Sequence, residues 1–363
     1  MIYSNCLVNL YNKYKDEFDK AVIGALDSGY YVLGKSVEMF EKQFANKLNA
    51  KYCVGVANGL EALEISLKAY DLYNKDYNII VPSNTYIATV LSITNNNLIP
   101  NFVEPDEYYN IDVSKIESRI NNNTRAIMSV NLYGQACNME SLRKLCDKYK
   151  LYLIEDCAQS HFAKYENHYT NHYSDISCFS FYPSKNLGAY GDAGAIVLDD
   201  EIIYKKIKAL RNYGSEVRYY NKYQGCNSRL DELQAALLCV KLKHIDEISE
   251  ERKKIASYYL NNIKNNKISL PKILDKSTHV WHLFVIQTEN RDNFVEYMKS
   301  KDIQILIHYP VAPHLQECYR NLGYNKGDFP IAEKYANSVA TLPLYNGMKA
   351  EEYQYVVECI NNW

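Results

Sequence analysis

The chain has 363 residues, with 41 Lys and Arg against 43 Asp and Glu and a formal net charge of −2. This near-balance gives no support for a nucleic-acid partner, which would normally require a basic stripe. No apolar run reaches the roughly 18 residues that a membrane helix needs, and the first residues lack the pattern of a signal peptide. The ten cysteines include no CxxC pair, so we predict no metal site and expect a cytoplasmic protein with free thiols and no membrane partner.

From about residue 52 the sequence alternates between short apolar runs and helical patterns. The predicted strands read CVGVA, NIIVPS, NFVEP, AIMSVN and LYLIED, and helices are predicted between them, for example at Glu61–Tyr70 and Met139–Tyr149. Two further strands are predicted around Lys185. Strands that alternate with helices are typical of a mainly parallel sheet covered on both faces. The predicted fold class is α/β, and ligands are expected beyond the carboxyl ends of the strands.

A long helical region, Leu230 to about Asn262, leads away from this sheet. After it come predicted strands near Val280–Gln287 and Gln304–His308 and predicted helices at Arg291–Lys301 and Ala350–Asn361. This mixture predicts a smaller α+β C-terminal domain. We place the large domain at 1–245 and the small domain at 246–363, with the N-terminal segment packing on the small one.

Lys185 lies in the stretch FSFYPSKNLGAYGDAGAIV, in a loop rich in small residues. The next acidic residue is Asp192, and apolar sequence flanks the loop on both sides. A lysine is almost never fully buried unless it is paired or has a chemical role. The alternative is a surface lysine in a turn.

Three other features are expected at strand ends. Strand LYLIED ends at Asp156, and the following CAQSH contains Gln159 and His161. Asn58-Gly59 opens a predicted helix, whose free amides could bind a phosphate. Each feature has an ordinary alternative, because a strand-end Asp is often a helix N-cap and an Asn-Gly pair is often only a turn. The sequence has neither a GxGxxG after a strand nor a GxxxxGK[ST], so nicotinamide and P-loop sites lose their usual support.

A lysine, an acid and a phosphate site are together the parts that pyridoxal 5'-phosphate requires. A carboxylate beside the pyridine nitrogen keeps that nitrogen protonated, so that the ring can accept electron density. The lysine holds the aldehyde and, once displaced by a substrate amine, can move a proton between carbons. The sequence therefore predicts a pyridoxal phosphate site.

Four stretches, DCAQSH, FSFYPSKNLGAYGDAGAIVLDD, NSRLDELQAALLCVKL and IHYPVAPHLQ, resemble signatures of the DegT/DnrJ/EryC1 family of sugar-nucleotide aminotransferases. The resemblance extends from GYYVLG near residue 30 to TLPLY near residue 345. It implies an aspartate-aminotransferase-type fold, with a large domain that binds pyridoxal phosphate and a smaller C-terminal domain. It also implies a homodimer with an active site shared between the subunits.

The resemblance assigns roles to individual residues. The catalytic residues that it implies are Lys185, bound to the cofactor, Asp156, paired with the pyridine nitrogen, and His161. The cofactor-binding residues are, besides Lys185 and Asp156, Gly59, Leu60, Glu61 and Ser180 at the phosphate, Tyr86 stacked on the ring, Gln159 near the ring hydroxyl, and Asn227 from the neighbouring subunit. The candidates for contact with the sugar substrate are Tyr31, Tyr182, His308 and Tyr309.

Several of these roles have open alternatives. Glu155 could be the acid instead of Asp156, because adjacent strand residues point to opposite faces. Asn227 could simply cap a helix that starts at residue 228 or 229. His161 could be a packed core histidine, and His308 could end a strand without touching a ligand.

The HYP…PHLQ stretch resembles the branch that acts on the 3-keto group of dTDP-3-keto-6-deoxyhexoses. The implied reaction moves an amino group from glutamate to C-3 and gives a dTDP-3-amino-3,6-dideoxyhexose for a lipopolysaccharide or another surface glycan. The sequence departs from the family at Leu60, where relatives have a hydroxyl residue, and at Phe162 and Ala312 on loops that we expect to face the substrate. The alternatives are a C-4 aminotransferase for a nucleotide-linked 4-keto-6-deoxysugar and a non-catalytic regulatory homologue that binds a ligand. Lys185 argues against a third relative, the dehydratase branch, which has histidine there.

Overall fold

The computed structural model describes all 363 residues and contains twelve α-helices and thirteen strands. The helices are α1 (Val8–Lys13), α2 (Lys15–Asp27), α3 (Lys35–Lys47), α4 (Gly59–Ala69), α5 (Ile87–Thr94), α6 (Met139–Tyr149), α7 (Glu201–Leu210), α8 (Glu232–Lys243), α9 (Ile245–Asn262), α10 (Arg291–Ser300), α11 (Pro330–Ser338) and α12 (Ala350–Asn361). The strands are β1 (Tyr52–Val56), β2 (Asn78–Pro82), β3 (Ile99–Val103), β4 (Thr124–Val130), β5 (Tyr152–Asp156), β6 (Lys164–Tyr165), β7 (His168–Tyr169), β8 (Ile176–Ser180), β9 (Gly194–Leu198), β10 (Ser215–Val217), β11 (Tyr220–Asn221), β12 (Phe284–Gln287) and β13 (Val339–Leu342).

A seven-stranded sheet forms the centre of the molecule, in the order β1-β9-β8-β5-β4-β2-β3. The pairs β2–β3, β2–β4, β4–β5 and β5–β8 are parallel, and β9 runs antiparallel to both of its neighbours. The five apolar runs predicted as strands are β1 to β5. Because all strands except β9 run in one direction, their carboxyl ends meet at one edge of the sheet.

Helices cover both faces of this sheet, which explains why its strands are apolar on both sides. One face, with Val54, Ile79 and Ile154, belongs to a core that α4, α5 and α7 complete. On the other face, α3 and α8 cover Phe179, and α6 covers Leu153. No helix has both the length and the apolar composition needed to cross a bilayer.

A second core lies in the C-terminal part of the chain, where α9, α10 and α12 pack with the β12–β13 pair. The N-terminal segment joins this part, because Ile2 forms a parallel bridge with Ile303 and the Ser4 amide donates to Gln304 Oε1 at 3.0 Å. Helix α9 passes from one core to the other, with residue 248 in the core of the sheet and residue 255 in the second core. The domain division at residue 245 stays a prediction.

The predicted helical region from Leu230 to about Asn262 is helical and consists of two helices, because the chain leaves helical geometry at His244 between α8 and α9. The His244 ring stacks on Tyr14 with a centroid separation of 4.0 Å, and its Nε2 pairs with Glu17 at 2.8 Å. Both partners belong to the N-terminal region of the chain. A tertiary contact therefore holds the break, and no Pro or Gly marks it in the sequence.

The segment 304–308 is also not the strand that the pattern predicts. The Gln304 amide donates to the Ile2 carbonyl at 2.9 Å, whereas Leu306 forms an isolated bridge with Thr341. The segment divides its backbone bonds between two neighbours and builds no continuous ladder with either. Of the strand predicted at 280–287, only the last four residues form a strand, which is β12.

Phe162 and Ala312 do not line the cavity described below, which corrects their expected place on substrate-side loops. Ala312 is buried in the core of the sheet. Phe162 has a φ of +65°, and its ring packs edge-on against Phe44 at 5.6 Å. A left-handed conformation favours glycine and costs other residues about 1 kcal/mol, so ring packing offsets backbone strain at this position.

Two substitutions separate these opposing effects at residue 162. We expect Phe162→Ala to lower the free energy of unfolding by about 2 kcal/mol, because the packing is lost and the strain stays. Phe162→Gly should be about 1 kcal/mol more stable than Phe162→Ala, since glycine relieves the strain. Urea unfolding of the two variants beside the unsubstituted protein measures both differences, and a glycine variant weaker than the alanine variant would contradict the analysis.

Candidate active site

A cavity of about 700 Å³ opens at the edge of the sheet where the parallel strands end. Strand β5 ends there with Asp156, β8 ends with Ser180, and Gly59 follows β1. Ligands of parallel sheets bind at such carboxyl ends. The predicted site residues that line this cavity are Gly59, Leu60, Tyr86, Asp156, Gln159, Ser180, Tyr182, Lys185, His308 and Tyr309.

Lys185 reaches the cavity from the loop between β8 and β9. Its amine forms no hydrogen bond or salt bridge within the chain, and desolvation lowers the pKa of Lys185 to about 8, against the attraction of Asp156. At pH 7 about a tenth of the amine is then uncharged, far more than at the ordinary lysine pKa. An uncharged amine in a cavity can act as a nucleophile.

The loop is folded back tightly on itself. The Lys185 amide donates to the Tyr182 carbonyl at 2.8 Å, and the Ala189 amide donates to the Phe181 carbonyl at 2.7 Å. A Cβ on Gly188 would lie 2.3 Å from the Pro183 carbonyl oxygen, so only glycine permits this crossing. The small residues in the sequence thus allow the tight fold of the lysine loop, the loop between β8 and β9 that carries Lys185.

The acid of the site is Asp156. Its Oδ1 accepts the Ala158 amide at 3.0 Å and its Oδ2 accepts the Thr89 hydroxyl at 2.8 Å. Burial raises the pKa of Asp156, while these two donors and Lys185 act to lower it. Glu155 faces away and accepts from Asn131 and from serine hydroxyls. The geometry therefore favours Asp156 over the alternative acid, because Glu155 does not reach the cavity.

The amino end of α4 has backbone amides that are free to bind an anion. Asn58 Oδ1 accepts the Glu61 amide at 2.9 Å, while the amides of Gly59 and Leu60 have no partner in the chain. A Cβ on Gly59 would lie 2.6 Å from the Ser180 Cβ, so glycine lets the helix approach β8. Free amides and the helix dipole at such an end attract a phosphate, and the hydroxyl missing at Leu60 is not required for this.

Aromatic side chains form another wall of the cavity. The Tyr86 and Tyr309 rings are 5.2 Å apart, and Gln159 Nε2 donates to the Tyr309 hydroxyl at 3.0 Å. His308 Nδ1 pairs with Thr341 Oγ1 at 2.8 Å. Burial and the nearby Lys185 lower the pKa of His308 to about 4, so this imidazole is neutral near pH 7 and can exchange hydrogen bonds with a hydroxyl.

These groups fit the cofactor that the sequence predicts. Asp156 would offer its carboxylate to the pyridine nitrogen, Ser180 and the amino end of α4 at Gly59 would hold the phosphate, and Lys185 would supply the amine for the aldehyde. The cavity walls hold all three groups together. No other cofactor considered from the sequence needs this combination.

Four predicted site residues lie outside the cavity wall. Tyr31 and Asn227 are exposed, and the buried Glu61 Oε2 has no hydrogen-bond partner. The alternative role of Asn227 as a helix cap is wrong, because α8 begins only at Glu232. The predicted contacts of Tyr31, Glu61 and Asn227 stay predictions.

His161 is the fourth of these residues. Its ring lies 5.7 Å from Phe179 and 5.6 Å from Phe181, and neither ring nitrogen has a hydrogen-bond partner. Burial lowers the pKa of His161 to about 3, and the neighbouring Lys185 adds to this effect. The imidazole is therefore neutral and packed beside aromatic rings, and its catalytic role stays a prediction.

The sequence reasoning missed several polar residues of the site. Thr85 and Thr89 bond to each other at 2.8 Å, and Thr89 holds Asp156. Their spacing of four residues in SNTYIAT, around Tyr86, was a usable signal. Arg252 lines the cavity without an acidic partner, and its guanidinium donates to the carbonyls of Trp281, His282 and Leu344. It lies far from every motif, and nothing in its local sequence marks it.

Comparison with known proteins agrees with this geometry. The profile of the DegT/DnrJ/EryC1/StrS aminotransferase family matches residues 12–361. A protein of Aneurinibacillus thermoaerophilus named dTDP-3-amino-3,6-dideoxy-alpha-D-galactopyranose transaminase is 48% identical, over 97% of this chain and 96% of its own length. A Saccharopolyspora erythraea protein named erythromycin biosynthesis sensory transduction protein EryC1 is 39% identical, over 96% of this chain and 95% of its own length.

A solved structure also resembles the chain over its whole length. The crystal structure of Streptomyces venezuelae DesV in complex with a ketimine intermediate superposes with a TM-score of 0.98 at 36% identity. The match covers 100% of this chain and 98% of that one. The predicted α/β aminotransferase fold is confirmed.

The pairing of Lys185 with Asp156 can be tested in the protein without cofactor. We expect Asp156→Asn to lower the pKa of Lys185 by about one unit, because the carboxylate that favours its charged form is lost. The pH dependence of Lys185 acylation, followed by mass spectrometry of its peptide, measures this pKa. Glu155→Gln is the matched control and should leave the pKa unchanged; the reverse result would make Glu155 the acid of the site.

Proposed function

Because the chain belongs to the DegT/DnrJ/EryC1/StrS aminotransferase family, we propose that it moves an amino group from glutamate to C-3 of a dTDP-3-keto-6-deoxyhexose with pyridoxal phosphate as cofactor. The product is a dTDP-3-amino-3,6-dideoxyhexose. The observation that carries this proposal is the meeting of Lys185, Asp156 and the free amides of α4 in one cavity. The name of the 48% identical relative supports the substrate and favours the galacto configuration.

When bound, the cofactor supplies an aldehyde that takes up the amino group and a ring that accepts electron density. Lys185 Nζ would hold the cofactor in the resting enzyme. With the lysine displaced by the amino donor, the same amine would remove a proton from the α-carbon of the donor and later deliver a proton to C-3 of the sugar. A pKa of about 8 suits an amine that both takes and gives a proton near neutral pH.

Asp156 holds a proton at the pyridine nitrogen, and its own position is held by Thr89 and the Ala158 amide. The amides of Gly59 and Leu60 would bind the phosphate and so fix the orientation of the ring. Tyr309, held by Gln159, narrows the cavity beside Tyr86 and helps to exclude water. Each of these residues acts by orientation, so that the proton transfers at Lys185 occur along defined directions.

The polar groups near the mouth of the cavity suit a sugar. His308 is neutral and has one ring nitrogen left for a hydroxyl. Tyr182 lines the cavity with an exposed ring, as expected of a residue that meets a large substrate. We assign the contacts with the hexose to these two residues and Tyr309.

We also propose that the enzyme is a homodimer and that it works in the cytoplasm. Asn227 is exposed outside its own cavity, which leaves it free to reach the phosphate in a neighbouring subunit. The chain also exposes aromatic side chains that are candidates for burial between the two subunits; these are Tyr30, Tyr31, Tyr86, Tyr213, Tyr219 and Tyr220. All ten cysteines are free thiols, which suits a reducing compartment.

A regulatory protein without turnover is the second candidate, because the relative at 39% identity carries the name of a sensory transduction protein. The cavity of this chain argues for turnover. Its lysine amine is unpaired and its acid is held by two donors, and a ligand-binding protein needs neither feature.

The reaction is tested by incubating the protein with pyridoxal phosphate, glutamate and each of the two epimeric dTDP-3-keto-6-deoxyhexoses. We expect bleaching of the visible absorbance by glutamate and an amino-sugar product detected by mass spectrometry, with the galacto substrate preferred. Lys185→Ala should keep the fold and form no product. A wild-type protein that neither absorbs nor bleaches would support the regulatory alternative, and amination of a nucleotide-linked 4-keto-6-deoxysugar alone would support the C-4 alternative.

The shared active site is tested by mixing two inactive variants. We expect Lys185→Ala and Asn227→Ala each to be impaired alone, because each removes one part of every site. After unfolding and refolding together, half of the dimers should be mixed and carry one intact site, so that about a quarter of the wild-type activity returns. A mixture no more active than the average of the two variants would place Asn227 in its own subunit or outside the site.

A further inference from the structure

A buried lysine, Lys241 on α8, lies beside the loop that carries the half-buried Lys185. Lys241 is 4% exposed, and the hydrogen bond of its amine goes to a backbone carbonyl instead of a carboxylate. Its Nζ donates to the Gly188 carbonyl at 2.6 Å and lies 4.3 Å from the centre of the Tyr190 ring. The reaction described above uses neither this ammonium nor its partners.

Burial of this lysine is unfavourable by itself. Desolvation lowers the pKa of Lys241 to about 8, which shows that the surroundings disfavour its charge. An aliphatic side chain would fill the same space without that penalty. A hydrogen bond from an ammonium to a carbonyl is, however, stronger than a neutral one and fixes the carbonyl direction. The carbonyl that Lys241 fixes belongs to the tight crossing of the lysine loop.

The loop is held from two sides. On the side of α8, Gln234 Oε1 accepts the Tyr190 amide at 2.8 Å, so that residues 188 and 190 are both bonded to one helix. On the other side, Asn186 donates to the Val280 carbonyl at 2.8 Å. These attachments hold the backbone that follows Lys185, whereas the Lys185 amine itself has no hydrogen-bond partner in the chain. The backbone of the loop is therefore tied to its neighbours, and the reactive amine is left free.

We propose that Lys241 is a positioning residue for Lys185: with Gln234 it holds residues 188–190 against α8, so that the Lys185 amine stays in the cavity opposite Asp156. This inference rests on the proposed function, since it assigns Lys241 a role in the same site. It distinguishes Lys241 from Lys243 of the same helix, which is exposed and pairs with Glu17.

The experiment compares Lys241→Met, which keeps the length and removes the donor, with the matched control Lys243→Met. The readouts are the affinity of the cofactor-free protein for pyridoxal phosphate, the pH midpoint of the absorbance of the lysine-bound cofactor, and kcat and KM for glutamate. We expect Lys241→Met to shift the pH midpoint by about half a unit or more and to lower kcat about 10- to 100-fold, with KM less affected. Lys243→Met should match the wild type in every readout.

A Lys241→Met protein that is folded, as judged by circular dichroism, and that keeps the wild-type pH midpoint and kcat would overturn the proposal. If Lys241→Met does not fold, Gln234→Ala decides in its place, because it releases the same segment by a milder change. A shifted midpoint in Gln234→Ala supports the positioning role, and a wild-type midpoint overturns it. Failure of the proposed function looks different, since the wild-type protein itself would then form no absorbance band with pyridoxal phosphate.

Discussion

The attraction between the Lys185 ammonium and the Asp156 carboxylate, acting against the desolvation of both, is the interaction on which the site depends. Desolvation lowers the pKa of Lys185 to about 8 and raises that of Asp156, and each group limits the shift of the other. The pair stays separated by the cavity, so the charges do not close into a salt bridge. This balance gives an amine that can lose its proton and an acid that stays available for a ring nitrogen.

The sheet turns this balance into a defined geometry. Asp156 and Ser180 end neighbouring parallel strands, and the amino end of α4 lies beside them because Gly59 has no side chain to hold the helix away from β8. An acid, a phosphate site and a lysine loop therefore reach the same edge from segments far apart in the sequence. Thr89 and Gln159, on other elements, hold the functional groups in place through hydrogen bonds. The backbone thus sets where the functional groups lie, and hydrogen bonds from surrounding side chains set how these groups are oriented.

Much of this could be predicted from the sequence, and the failures have physical causes. The strands β1 to β5 are recognisable because buried parallel strands are continuously apolar. Asp156 stands out as an acid at the end of such a strand, and Lys185 stands out as a lysine in a loop of small residues flanked by apolar sequence. The break at His244 and the fate of residues 304–308 depend on contacts with the N-terminal segment, which no local pattern encodes. Lys241 was missed because the loop that it contacts is distant in sequence, and the bond from Thr89 to Asp156 likewise joins distant segments. Phe162 was misjudged because its ring packs into the core instead of facing the cavity.

Lys185 and Lys241 together bear on the choice between an enzyme and a regulatory protein. A lowering of the Lys185 pKa from its ordinary value to about 8 corresponds to roughly 3–4 kcal/mol against its charged form. Desolvation disfavours the charged form of Lys241 in the same way. The hydrogen bond of its amine goes to the Gly188 carbonyl in the loop of Lys185 and not to an acid. A protein that only binds a ligand gains nothing from two destabilising lysines that serve one free amine. An enzyme that must alternate between a bound and a released lysine needs the loop rigid and the amine free, and the chain has that arrangement.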